Sequence, residues 1–135
     1  MNKKLFYLLS LTWGLPMTIC GALVALSLIV TGHRPKRFAW VCYFEIGERW
    51  GGLSLGPVMI TQYGSSDYLR SHEHGHALQN CVYGPFILPL VLYSVIRYHV
   101  RNSLARRGRC LPCYYDQWFE AQASEWGQKF MKKIR

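Results

Sequence analysis

Apolar residues concentrate in two blocks, and short polar or Gly-Pro clusters separate everything else. The first block, residues 5–30, runs for 26 positions without a charge. About 20 apolar residues span a bilayer core as a helix. The block therefore reads as an uncleaved N-terminal transmembrane anchor, residues 1–32. Trp13, Gly14 and Pro16 inside it mark a kink or a looser packing face, which transmembrane helices tolerate. Lys3 and Lys4 would also suit the start of a signal peptide. The block is longer than a normal h-region, however, and no clear small-x-small cleavage site follows it.

From residue 33 the pattern shortens. "FAWVCYFEIG" is rich in aromatic and β-branched residues and predicts a strand. After the turn "ERWGG", "LSLGPVMITQY" predicts a second, with Pro57 at an edge or irregularity. Together they predict a β-hairpin. "GSSD" then offers a helix N-cap at Ser65, Ser66 or Asp67. A helix is predicted over 68–83, stopped by Gly84-Pro85. The second apolar block, residues 82–97, holds Pro85 and Pro89 and is short for a full span. It reads as a re-entrant or interfacial membrane segment, or a tilted helix. In "YYDQWFEAQASEWGQKFMKK", Tyr115, Phe119, Ala123, Trp126 and Phe130 recur at three- and four-residue steps and predict a last helix. The fold class is α+β. Its order is N-terminal transmembrane helix, β-hairpin, active-site helix, short apolar membrane segment and C-terminal helix, with one domain over 33–135.

Charge adds the membrane surface to this picture. The net charge is +9. Arg34, Lys36 and Arg37 follow the first block, and Arg97, Arg101, Arg106, Arg107 and Arg109 follow the second. Basic clusters beside membrane segments are usually cytoplasmic and meet anionic headgroups. The expectation is an integral protein of the cell (inner) membrane, with its domain at the cytoplasmic face and lipid as a partner. No nucleic-acid module pattern occurs, so nucleic acid is not an expected partner. Five cysteines, an odd number, argue against a disulfide framework.

The chemistry sits in "SHEHGHALQN". His72-Glu73-His74-Gly75-His76 satisfies H-E-x-x-H. Histidines four apart share one helix face, so both rings can reach one ion, and Glu73 projects beside it. Zinc suits such ligands and makes bound water acidic, and a neighbouring carboxylate can take that proton and pass it to a leaving amine. His74 points away by helix geometry and is excluded. A catalytic zinc needs a third protein ligand and an open position. Glu120 is the leading candidate. It shares a helix stripe with Ala123, Ser124 and Gly127, whose small side chains allow another helix to approach closely. Asp116 is its main rival and His99 a further one, while Glu125 lies on a different face.

"HEHGH" followed by "EAQAS" on a later helix resembles the gluzincin metallopeptidases, whose pattern pairs H-E-x-x-H with a glutamate in E-x-x-A-D. The element order is most similar to minimal membrane-associated gluzincins and to small uncharacterised bacterial membrane proteins carrying H-E-x-x-H. The resemblance covers residues 51–127. It implies a minimal zincin-like domain, a peptide or protein substrate, His72, His76 and Glu120 as zinc ligands, and Glu73 as general base. Ser124 stands where the family has an aspartate that commonly orients a ligand histidine. Ser124 or Asp116 would take that role. The strand before the active-site helix usually binds substrate as an added strand in this family type. "LSLGPVMITQY" is either such an edge or a paired core strand.

Other features stay subordinate. "CLPC" (Cys110, Cys113) has the spacing of a zinc half-site or redox pair. It lacks a second C-x-x-C and reads best as a turn with two thiols. Gln79 and Tyr83 lie near the ligand face, to contact substrate, stabilise an oxyanion or simply pack. The alternative to a metallopeptidase is a non-catalytic membrane protein, with a structural or vestigial metal site and a basic surface for lipid or a partner.

Overall fold

The computed structural model describes residues 1–109 and 117–135. Among them the architecture is α+β. The elements are five α-helices and a small four-stranded sheet: α1 (Lys3–Leu11), α2 (Leu15–Val30), β1 (Lys36–Phe38), β2 (Val41–Glu45), β3 (Gly52–Leu55), β4 (Val58–Thr61), α3 (Asp67–Tyr83), α4 (Ile87–Arg106) and α5 (Trp118–Ile134), with a 3-10 turn at Gly84–Phe86.

The first apolar block is not one straight helix. It breaks over residues 12–14 into α1 and α2, bent by 92°. The kink anticipated at Trp13, Gly14 and Pro16 becomes a right-angled corner for local reasons. Pro16 has no N–H to donate and fits the first turn of α2. Trp13 Nε1 donates to Val82 O at 3.1 Å, and Asn80 Nδ2 donates to Gly14 O at 3.3 Å. The corner is thereby tied to the end of α3. α1 also enters the domain core. Phe6 is fully buried with Val41, Tyr43, Met59, Ala77, Leu78 and Cys81.

The sheet differs from the expected hairpin. Its order is β1-β2-β4-β3, with β1/β2 and β3/β4 antiparallel and β2/β4 parallel. Each predicted strand contains a two-residue turn of its own, so two tight hairpins lie side by side. Gly56-Pro57 joins β3 to β4. Gly56 has φ +65°, and proline fixes the next φ near −65°, the pattern of a type II′ turn. Ala39 has φ +52° in the turn from β1 to β2. There Trp40 O accepts a bond from the Tyr7 hydroxyl at 2.7 Å. β4 is consequently paired on both sides, and β1 and β3 are the edge strands.

Ser66 caps α3, accepting from Leu69 N at 3.2 Å. α3 ends at Tyr83 as expected, but the chain continues through the 3-10 turn into α4. The combined stretch Asp67–Arg106 is long and apolar enough to cross a membrane. It is not straight. Gly84 has φ +55° and ψ −126°, outside helical geometry. Ile87, Val91, Ser94, Tyr98 and Arg101 of α4 line one cavity together with His72 of α3. A straight continuation would carry Arg101 about 27 Å beyond Tyr83, so α4 runs back over the site. Its other faces, and the later turns of α2, expose Leu88, Leu92, Ile96, Leu23, Leu26 and Ile29.

α5 packs along α3 at very short range. A Cβ on Gly75 would collide with Ala123 O, and one on Gly127 with Ser71 O. Phe119 and Ala123 are buried in this seam.

Candidate metal centre

The H-E-x-x-H turn lies in the middle of α3, and α5 lays Glu120 across it. Glu120 Oε2 is 3.2 Å from His72 Nε2 and 3.1 Å from His76 Nε2. The two Nε2 atoms are 3.2 Å apart. A tetrahedral ion with bonds of about 2.0–2.1 Å has ligand–ligand edges of about 3.3–3.4 Å. The triangle has the size a zinc ion needs.

Hydrogen bonds aim both rings. Gln79 Nε2 donates to Phe119 O and Gln122 Oε1, each at 2.9 Å. That turns Gln79 Oε1 towards His76 Nδ1, 2.8 Å away. The proton of His76 then sits on Nδ1, and Nε2 keeps its lone pair. Ser124 Oγ lies 2.8 Å from His72 Nδ1 and holds that ring with Nε2 towards Glu120. Two imidazole Nε2 atoms and a carboxylate oxygen thus face one another at about 3 Å. Such a set repels itself unless a cation or proton lies between, so the donors fit a divalent ion. Burial works to lower the His76 pKa, but its bond to Glu120 and the charges of Glu73 and Glu120 outweigh it and the net shift is upward.

Glu73 is buried beside the triangle, and burial raises its pKa against the pull of His76 and His72. It stands against β3. A Cβ on Gly52 would come within 2.8 Å of Glu73 Oε1. Next to it opens a cavity of about 560 Å³, lined by His72, Glu73, His76 and Glu120, by Gly52 and Ser54 of the edge strand, and by α4.

Of the residues singled out from sequence, His72, His76 and Glu120 form the cluster that can hold a metal ion. Ser124 and Gln79 contact the histidines. Tyr83 is one step further out, its hydroxyl donating to Gln122 Oε1 at 2.8 Å. Asp116, Cys110 and Cys113 lie outside the described residues. His99 is exposed on α4 beside Tyr98 and is not in the cluster. Glu125 is exposed and paired with Lys129. His74 is buried on the opposite side of α3, between the rings of Phe6 and Phe130. Gln122 and Gly52 were not anticipated. Gly52 signalled only a turn, and nothing in the spacing of Gln122 marks it as the anchor of Gln79.

No family model, curated protein or solved structure matches the chain.

Proposed function

We propose that this chain is a membrane-associated zinc metallopeptidase of the gluzincin type. The observation that carries the reading is the convergence of His72, His76 and Glu120 with Glu73 buried beside them at the wall of an open cavity. A zinc ion held there supplies Lewis acidity and brings the pKa of water towards neutrality. The chain's own residues do the rest. Glu73 accepts the proton of the attacking water and returns it to the departing amine. Ser124 and Gln79 hold the two imidazoles with Nε2 inward, and the edge of β3 offers backbone groups for an extended peptide to pair with.

The apolar outer faces of α2 and α4 are the membrane-contacting surface in this reading, with α3 and the sheet outside the bilayer. The basic residues after each apolar segment favour the cytoplasmic side.

The test is metal content by mass spectrometry, followed by peptide cleavage, on detergent-purified wild type, Glu120→Ala and Glu73→Gln. One zinc per chain in wild type and Glu73→Gln, with cleavage only in wild type, is the expected result. Zinc retained with no cleavage in wild type turns the site into a structural one, the alternative of a non-catalytic membrane protein. No zinc after reconstitution removes the metal reading altogether.

A further inference from the structure

The seam between α3 and α5 has three successive rungs, and the third is made differently from the others. Ser71, Gly75 and Gln79 lie four apart on α3, and Gly127, Ala123 and Phe119 lie four apart on α5. Residues at that spacing share one helix face. The first two rungs are bare backbone approaches, Gly127 against Ser71 O and Gly75 against Ala123 O. The third is a hydrogen bond from a side chain. Gln79 Nε2 donates to Phe119 O at 2.9 Å. Gln79 is fully buried, and its second amide hydrogen goes to Gln122 Oε1, also at 2.9 Å.

This rung reaches two ligands. A backbone carbonyl can only accept. Phe119 O therefore decides which end of the Gln79 amide faces α5, and Oε1 is left to face His76 Nδ1 at 2.8 Å. Gln122 Oε1 is held in the same arrangement by a second donor, the Tyr83 hydroxyl, at 2.8 Å. Phe119 immediately precedes Glu120 in the first turn of α5. Among the described residues that turn has no side-chain cap of its own, since Gln117 at the N-cap makes no capping bond. One carboxamide thus touches the ring of one ligand and the backbone beside another.

We propose that Gln79 is a positioning residue that sets two metal ligands at once, His76 through its ring and Glu120 through the first turn of α5. This role rests on the reading of the cluster as a metal centre, and it requires a carboxamide rather than a carboxylate. A glutamate could still accept from His76 Nδ1, as carboxylates beside metal-bound histidines commonly do. Even when protonated it has one hydrogen for two acceptors, Phe119 O and Gln122 Oε1. Aiming the ring and holding α5 therefore separate in Gln79→Glu. Gln79→Met, similar in length and apolar, loses both.

The test combines zinc affinity, by chelator competition, with amide hydrogen exchange over residues 121–123 of the metal-free full chain in detergent. Gln79→Glu should bind zinc about 10-fold more weakly than wild type or worse. Those amides should exchange about 10-fold faster as the first turn opens locally. The His76 Nδ1–H proton of the zinc-loaded chain should keep its hydrogen-bonded, downfield NMR position in Gln79→Glu and lose it in Gln79→Met. Should Gln79→Glu not fold, Gln122→Met at its half-buried site takes its place, with a severalfold loss of zinc affinity and faster exchange expected. A folded variant that binds zinc as tightly as wild type, or unchanged exchange at the start of α5, overturns the role. Faster exchange in a chain whose wild type binds no zinc keeps Gln79 as the tie between the helices and removes the metal reading.

Discussion

Gly75→Ala tests what holds the third ligand in place. Gly75 sits between His72 and His76, and its missing Cβ is replaced by Ala123 O, three residues from Glu120. An added Cβ falls more than 1 Å inside the 3.0 Å that real Cβ atoms keep. The obstacle is backbone on both sides, so it cannot swing away. α5 must retreat by more than 1 Å, and Glu120 goes with it. Metal sites accept errors of only about 0.2 Å in ligand distance. Overpacking costs about 1–3 kcal/mol, while alanine returns about 1 kcal/mol over glycine in a helix. Stability of the metal-free chain should therefore fall by no more than about 2 kcal/mol. Zinc affinity should fall much further, about 100-fold or more, equivalent to about 2.7 kcal/mol. Competition with a chromophoric chelator measures the affinity, and thermal melting of the metal-free protein measures the stability. Gly127→Ala, one turn further along the seam against Ser71 O, should act in the same direction. A folded Gly75→Ala protein that binds zinc within threefold of wild type would refute the idea that the glycine seam sets the ligand geometry.

Two further outcomes follow from the surroundings of the ligand helix. Burial lowers the His74 pKa from 6.5 to about 4, and neither ring nitrogen has a partner. Because the folded pKa lies below the unfolded one, its contribution is complete above about pH 6.5 and is lost as pH falls towards 4, about 3 kcal/mol in all; metal-free His74→Leu should melt with a correspondingly weaker pH dependence, and an unchanged profile would show that His74 is not held neutral. Ser124→Asp should raise zinc affinity by charging the partner of His72, and Ser124→Ala should lower it by about 10- to 100-fold; chelator competition showing no change in either variant would deny Ser124 its orienting role.

What could be read from the sequence was what local periodicity determines. The Ser66 cap and the three-to-four spacing of His72 and His76 are properties of one helix, and helix geometry leaves them little freedom. The small stripe Ala123, Ser124 and Gly127 was legible for a related reason. It announces close approach without naming the partner, which the structure shows to be α3 at Gly75. The strands were less legible. "FAWVCYFEIG" and "LSLGPVMITQY" alternate well enough to pass as single strands. Whether Ala39 and Gly56 turn the chain back depends on Trp40 packing against Phe6 and Phe130, and on Gly56 lying against Thr18. Those contacts join residues far apart in the chain.

The same distinction explains the membrane segments. Hydropathy reads residues 5–30 as a span and 82–97 as a shorter membrane segment, because it averages over side chains regardless of direction. The right-angled corner after α1 and the non-helical Gly84 are set by one cluster in which Trp13, Gly14, Asn80, Val82 and Gly84 meet. That cluster bends both apolar blocks at once, and it lies at the end of the helix that carries the ligands. α1 is drawn into the core through Phe6, while α4 is turned back over the cavity. The block that would otherwise leave the domain becomes a wall of the site. α4 keeps one face on the cavity and exposes Leu88, Leu92 and Ile96 on others.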